Sequence, residues 1–141
     1  MWQGIYKRWN PISYLEGKRL YLEAVLDDCK GFRIMISSEN NKLGVVAIVK
    51  FEVVQMYVNS NESYRLTEIQ NSKEIEFPHT FWKVENSGLL KEFNRQSLDI
   101  YKDDEIKHYA FLSCDECVDV LSWAKPTFVS LIEEGDMKEL S

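Results

Sequence analysis

The segment Cys114-Asp115-Glu116-Cys117 is the sharpest chemical motif of this chain, because a Cys-x-x-Cys pair can serve as a redox dithiol or as half of a zinc site. A redox dithiol needs a thiolate stabilised by positive charge, whereas here two acidic residues separate the thiols. Zinc needs four ligands, and the sequence holds no second Cys-x-x-Cys and no histidine pair. We therefore interpret the cysteines as small residues flanking a two-residue hairpin turn at Asp115-Glu116, and we expect no metal and no cofactor.

The two histidines, His79 and His108, are the candidate general bases. His108 alternates with Ala110 and Leu112, which predicts a strand position facing the sheet interior or the sheet edge. His79 follows Pro78 in a segment with loop character. The sequence also lacks a glycine-rich phosphate loop and a nucleophile elbow. These patterns favour structural roles for both histidines and indicate that the protein is not an enzyme.

Acidic residues cluster at three predicted chain reversals: at Asp27-Asp28, at Asp103-Asp104-Glu105, and at Asp115-Glu116 with one more aspartate close by. None of these segments has the spacing of oxygen ligands around a glycine that calcium loops use. The carboxylates are either simply solvated or, if the fold brings them to one rim, a docking surface for a basic protein. The candidate partner-binding residues are therefore Asp103, Asp104, Glu105, Asp115, Glu116 and Asp119. We expect the loop Asp103-Asp104-Glu105 to contribute most, because it projects further than a two-residue turn.

The composition bounds the class of protein. The chain has 141 residues, of which 45% are apolar and 28% charged, so it can build a core without disulfide or metal. Its net charge of −6 argues against nucleic acid and anionic membranes as partners and permits a basic protein. Glycine and proline are scarce and dispersed, which predicts a single domain over residues 1–141. The odd number of cysteines and the absence of a signal-like or membrane-spanning apolar run favour a cytoplasmic location.

Alternating apolar residues predict strands along most of the chain. Residues 19–28 place four of them on one face, namely Leu20, Leu22, Ala24 and Leu26. A second strand carries Phe32, Ile34 and Ile36. Residues 45–58 are apolar on both faces and predict one long central or curved strand, followed by a hairpin at 59–62 into residues 64–69.

The last third of the chain predicts one helix and further strands. Asn86-Ser87-Gly88 is a helix start signal, and the following apolar spacing extends to Ile100. Residues 106–113 and 117–123 predict two strands around the Asp115-Glu116 turn, and residues 127–132 a short strand or a turn of helix. We expect an α+β fold with a predominantly antiparallel curved sheet, or partial barrel, and one packed helix.

Large aromatic residues are concentrated in the first 14 positions and at Phe81-Trp82. Those of the N-terminal segment are Trp2, Tyr6, Trp9 and Tyr14. Tryptophan and tyrosine dominate binding hot spots, but a small domain also needs its large aromatics for its core. We favour an N-terminal segment that packs across the open end of the sheet.

Two stretches of the C-terminal half, WKVENSGLLKEFNRQS (residues 82–97) and IKHYAFLSCDECVDVLS (residues 106–122), resemble small bacterial immunity proteins of polymorphic or contact-dependent toxin systems. The resemblance implies a cytosolic protein that binds a cognate toxin domain and blocks it; many such toxins are basic nucleases. It implies a role and no particular site. The alternative is a small-ligand-binding or sensor module, with a pocket on the curved sheet to which His108 and Tyr109 contribute polar groups.

Overall fold

The computed structural model describes residues 3–38, 44–61, 65, 74–76 and 78–132, and these form two antiparallel sheets and one α-helix. The strands are β1 (Ile5–Arg8), β2 (Leu20–Asp28), β3 (Gly31–Ser38), β4 (Val45–Phe51), β5 (Met56–Asn61), β6 (Phe81–Glu85), β7 (Lys107–Leu112), β8 (Glu116–Ser122) and β9 (Thr127–Ser130), and the helix is α1 (Gly88–Gln96). The five-stranded sheet has the order β1-β6-β7-β8-β5 and the four-stranded sheet the order β2-β3-β4-β9. The α+β class and the antiparallel pairing are confirmed, and the sheets do not close into a barrel.

The two sheets face each other across a common hydrophobic core. Strand alternation sends every second side chain of each sheet into this space. The four-stranded sheet contributes Phe32, Ile34, Ile36, Val46, Ala47, Val49 and Phe51, and the five-stranded sheet contributes Phe81, Tyr109, Phe111, Val118 and Val120. The predicted inner face of β3 is therefore confirmed.

The five-stranded sheet is buried on its second face as well. Tyr6, Trp82, Val84, Ala110, Leu112 and Cys117 form a separate apolar cluster there. Helix α1 covers the same face where Leu89 packs against Ile106 and Leu121. Burial on both faces explains why β7 and β8 have almost no exposed residues.

The described aromatic residues of the N-terminal segment pack against the core, as predicted, but residues 5–8 form an edge strand of the five-stranded sheet instead of crossing its open end. β1 pairs with β6 at the edge of the five-stranded sheet, and the side chain of Tyr6 is buried. The ring of Trp9 lies against Tyr109, with a centroid distance of 5.5 Å, and against Phe128, at 5.1 Å. Trp2 lies outside the described residues.

Helix α1 begins where the sequence predicts and ends earlier. Ser87 is its N-cap, and the Ser87 hydroxyl oxygen accepts a hydrogen bond of 3.0 Å from the backbone N–H of Leu90. After Gln96 the backbone enters the left-handed region at Leu98 and Asp99, with φ of 54° and 58°. Two consecutive left-handed residues cannot continue a right-handed helix, so the predicted extension to Ile100 is wrong.

Residues 45–58 do not form one strand. Residues 52–55 separate β4 from β5 and carry the chain from the four-stranded to the five-stranded sheet. The backbone N–H of Gln55 donates to the carbonyl of Leu121 at 2.9 Å, which fixes the chain at the start of β5. The predicted return strand at 64–69 lies outside the described residues, apart from Arg65.

A β-bulge in β2 changes which side chains face the core. The pairing with β3 shifts between Leu22 and Ala24, so one extra residue enters β2. Beyond the bulge Asp27, and not Leu26, shares the inner face and lies opposite Phe32. The predicted apolar face is therefore correct up to Leu22 and wrong after it. An alternating sequence pattern does not show where a β-bulge inserts an extra residue and reverses the faces.

The turn between β7 and β8 lies one residue earlier than predicted. The Ser113 backbone N–H donates to the Glu116 carbonyl at 2.9 Å, and the Ser113 hydroxyl accepts from the Glu116 N–H at 3.1 Å. Cys114 and Asp115 are thus the central turn residues. Cys117 lies in β8 and is buried, so the two cysteines do not flank the turn symmetrically.

Candidate partner-binding end of the sandwich

The antiparallel register divides the sandwich into two ends. Lys107, the first residue of β7, pairs with Ser122, the last residue of β8, and Met56 of β5 pairs with Leu121. The following residue, Trp123, therefore marks one end, which we call the Trp123 end; the chain also crosses between sheets there through residues 52–55. The β7–β8 turn marks the opposite end, which we call the Asp115 end.

The α1–β7 connection, residues 97–106, leads into the Trp123 end and is held by its own hydrogen bonds. Backbone N–H groups of Ile100, Lys102 and Asp104 each donate to the carbonyl three residues earlier, at 3.2, 3.3 and 3.0 Å. The ring of Tyr101 packs on Phe93 of the helix at a centroid distance of 5.7 Å. Residue 106 closes the connection as a buried isoleucine. The connection is therefore an ordered surface element.

Exposed apolar side chains concentrate on this connection and at the Trp123 end. Nine large hydrophobic residues are exposed among the described residues, and six of them lie here: Leu98, Ile100, Tyr101, Trp123, Met56 and Tyr57. Leu98 is 84% exposed, Ile100 73% and Trp123 48%. Single exposed apolar residues are ordinary on protein surfaces, but a local concentration is typical of an interaction site.

The predicted acidic loop lies on the same connection. Asp103, Asp104 and Glu105 are all exposed, and Asp99 adds a fourth carboxylate against the single positive charge of Lys102. Neither a hydrogen bond nor an ion pair engages the side chains of Asp103 and Asp104 within the part of the chain that the structure describes. These carboxylates are available to a cationic partner.

The other predicted acidic pair lies at the opposite end. Asp115 and Glu116 line a cavity of about 320 Å³ together with Glu23, Tyr21 and Ser37. Strand β7 has six residues, which spans about 20 Å and separates this pair from residues 103–105. The fold therefore separates the Asp115-Glu116 turn from residues 103–105, whereas the Asp27-Asp28 turn lies at the Trp123 end.

Asp119 is not a surface residue, so its assignment to a partner-binding surface is corrected. Its side chain is 0% exposed and lies on the helix-covered face of β8. One carboxylate oxygen accepts from the guanidinium of Arg65, and the other lies 2.7 Å from Nε2 of His108. The Arg65 guanidinium also donates to the Tyr6 hydroxyl at 3.2 Å. Sequence spacing gave no sign of this because Arg65 is 54 positions away.

The same network contains a serine, a histidine and an aspartate in series. The Ser87 hydroxyl lies 2.7 Å from Nδ1 of His108, whose other ring nitrogen meets Asp119. A catalytic triad needs an accessible serine, whereas all three side chains here are buried. None of the three lines either of the cavities at the two ends of the sandwich. The arrangement ties the start of α1 to the sheet, and the predicted structural role of His108 fits it.

His79 and Tyr109 are buried groups with perturbed titration. Burial lowers the pKa of His79, the positive charge of Arg8 lowers it further, and the Trp9 carbonyl 2.9 Å from Nε2 partly offsets both. Burial raises the pKa of Tyr109. Tyr109 and His108 lie on opposite faces of β7, so they do not line a common pocket, contrary to the ligand-binding alternative.

Comparison with known proteins found no match for the chain. No family model matches it, and neither the curated proteins nor the solved structures contain a match. Among the described residues no three histidine, cysteine or acidic side chains come together as a metal site. None of the described helices is long and apolar enough to span a membrane. The relation to immunity proteins stays a prediction.

Proposed function

We propose that this protein is a cytoplasmic binding protein that neutralises a basic bacterial toxin domain by docking it on the α1–β7 connection and the Trp123 end. The observation that carries the proposal is the pairing of two highly exposed aliphatic side chains, Leu98 and Ile100, with four carboxylates on one hydrogen-bonded element. Apolar anchors beside charges of one sign match a partner surface with an apolar pocket and a basic rim.

The apolar anchors provide the affinity in this arrangement. Transfer of one fully exposed leucine or isoleucine side chain into a partner pocket contributes about 1.5–3 kcal/mol. The carboxylates act mainly on the association rate, because exposed charges steer an oppositely charged partner at long range. In a nuclease toxin they would occupy the place of the substrate phosphates.

The backbone of the connection supports a binding role. Leu98, Asp99 and Glu105 adopt left-handed conformations with φ between 52° and 58°, which disfavours each residue by roughly 1–2 kcal/mol. Such conformations persist only where the surrounding structure holds them, here through the backbone bonds of the connection. An element already fixed in this way loses little conformational entropy when a partner binds.

The charge test compares the two acidic turns at opposite ends of the molecule. Asp103→Lys with Asp104→Lys should slow association with the toxin domain and reduce its salt dependence. Asp115→Lys with Glu116→Lys is the matched control and should leave the association rate unchanged. The proposal expects a neighbouring gene for a large secreted protein with a variable C-terminal domain, and that domain is the toxin used here. Stopped-flow fluorescence at two ionic strengths measures the association rate. Equal rates for both variants would exclude the α1–β7 connection as the docking surface.

The anchor test uses the aliphatic side chains and cell survival. Leu98→Ser with Ile100→Ser should speed dissociation and abolish protection when the toxin domain is co-expressed, while stability changes by about 0.5 kcal/mol or less. Leu131→Ser, at another residue that is half exposed, is the control and should protect fully. If cells expressing the toxin die equally with and without the wild-type protein, the immunity function is refuted.

A further inference from the structure

A second cavity opens at the Trp123 end between the edges of the two sheets. Its volume is about 420 Å³, which is large enough for a side chain or a small organic molecule. Three aromatic rings form its walls: Phe32 of β3, Phe51 of β4 and Tyr57 of β5. Two carboxylates, Asp27 and Glu52, stand at its border. The cavity is separate from the α1–β7 connection, which contributes none of its lining.

The three aromatic rings lie close together and at several angles to one another. The Phe32 and Phe51 rings are 5.9 Å apart with an interplanar angle of 72°, and the Phe32 and Tyr57 rings are 4.7 Å apart at 52°. The Phe32 and Phe51 side chains are 4% and 2% exposed, so each offers the cavity a small part of its ring, whereas Tyr57, 37% exposed, provides the accessible ring. Ring faces carry partial negative charge and attract cations within about 6 Å.

The bulge in β2 is the feature that places a carboxylate beside these rings. After the inserted residue, Asp27 pairs with Phe32, and Phe32 pairs with Phe51, so the three form a row on the inner face of the four-stranded sheet. Bulges commonly re-aim a side chain next to a functional site. The adjacent residue Asp28 faces the other way and binds the Arg33 guanidinium at 2.8 Å.

Asp27 and Glu52 have no positively charged partner within the described part of the chain. Two carboxylates without a counter-cation disfavour an anionic ligand. The aromatic walls and the volume disfavour a bare metal ion, which takes oxygen or nitrogen ligands in a small shell. An organic cation with an apolar stem satisfies both the rings and the carboxylates.

We propose that this aromatic cavity binds a guanidinium or alkylammonium group. The proposal stands on the cavity alone and needs no toxin partner. Two sources supply the same chemistry: an arginine or lysine side chain of a docked protein, or a free small amine. The second source corresponds to the ligand-binding alternative of the sequence analysis, with different lining residues.

The test uses three blocked amino acids of similar shape on the full chain: N-acetyl-arginine amide, N-acetyl-lysine amide and the uncharged N-acetyl-norleucine amide. The two cations should shift the ring resonances of Tyr57 and Phe32 in NMR titrations, and the norleucine compound should not. Equal shifts from all three compounds, or no shift from the cations, would overturn the proposal.

Variants locate the site. Asp27→Asn should weaken binding of the arginine compound by up to about fivefold, as expected for the loss of one exposed ion pair. Tyr57→Leu should weaken it by a similar factor, because it removes an exposed cation–π contact while keeping the wall apolar. Asp28→Asn changes the neighbouring carboxylate on the outer face and should leave affinity unchanged. If Asp27→Asn lowers the stability of the protein, Glu52→Gln tests the same site independently and should also weaken binding of the arginine compound. Equal losses in Asp27→Asn and Asp28→Asn would mean nonspecific charge attraction and would refute the site.

The source of the cation is decided by a partner titration. If a docked protein supplies the group, Asp27→Asn weakens the complex with the toxin domain and the arginine compound competes with that domain. If the ligand is free, the toxin complex is unaffected by Asp27→Asn while the blocked cations still bind. Both results support a cation site and assign its occupant.

Discussion

Replacing Asp119 by asparagine tests whether the buried polar network holds the fold together. The substitution keeps the size of the side chain and removes the negative charge that both Arg65 and His108 contact. An amide also places an N–H₂ group where one carboxylate oxygen was. One of the two donors therefore loses its acceptor in a region where the Asp119 side chain is completely buried.

The expected loss follows from this burial. Breaking a buried ion pair by changing one partner costs about 3–5 kcal/mol, and we take about 3 kcal/mol because asparagine retains one acceptor. That loss lowers the melting temperature by about 10 °C for a domain of this size. With a urea dependence of about 2 kcal/mol per molar, the unfolding midpoint falls by about 1.5 M.

Urea unfolding followed by circular dichroism measures the effect, and Asp115→Asn is the control. Asp115 is exposed in the β7–β8 turn, so its substitution should change the free energy of unfolding by about 0.5 kcal/mol or less. A midpoint for Asp119→Asn that coincides with that of Asp115→Asn would refute the structural role of the network. A changed urea dependence would instead indicate an altered native or denatured state.

Two further predictions concern the buried groups around this network. The lowered pKa of His79 means that the unfolded chain takes up a proton first as the pH falls, so the contribution of His79 to stability is full above pH 6.5 and decreases from pH 6.5 towards the folded-state pKa. His79→Gln should remove this part of the pH dependence in urea titrations. An NMR titration that shows His79 half protonated at pH 6.5 or above would contradict the direction of the shift. Ser87→Ala removes both the cap of α1 and the hydrogen bond to His108. It should lower the free energy of unfolding by about 2 kcal/mol, about 1 kcal/mol for each of the two hydrogen bonds. Calorimetry measures this loss, and a value below about 0.5 kcal/mol would mean that neither hydrogen bond stabilises the fold.

The sequence predicted the elements whose signals are local. The alternation of β3, the paired strands of β7 and β8, and the Ser87 cap with its helix all follow from residues close together in the chain. The acidic loop at residues 103–105 was placed correctly on an exposed connection. The exposure of Leu98 and Ile100 could not be predicted, because the apolar spacing places Ile100 on the helix face and only the left-handed turn at Leu98 exposes it.

Features decided by strand pairing were not predictable in this way. The bulge in β2 depends on the register with β3, so the inward position of Asp27 has no signature within β2 itself. The division between β4 and β5 arises because the first part of residues 45–58 pairs with β3 in one sheet and the last part pairs with β8 in the other. Asp119 was assigned to the partner-binding surface because it lies close to the predicted Asp115-Glu116 turn. Its buried ion-pair partner, Arg65, lies far away in sequence and leaves no local signal.

The strand order also determines when each strand can pair while the chain is being synthesised on the ribosome. β2, β3 and β4 are neighbours in both sequence and space, so they can pair as soon as they emerge. Tyr6 of β1, however, pairs with Val84, about 80 positions later in the chain. Ile48 of β4 pairs with Val129, which is also about 80 positions later. At 5–20 residues per second these strands stay unpaired for about 4–16 s. During that interval the inner face of the early sheet is uncovered, so the nascent chain exposes apolar surface that the completed fold buries.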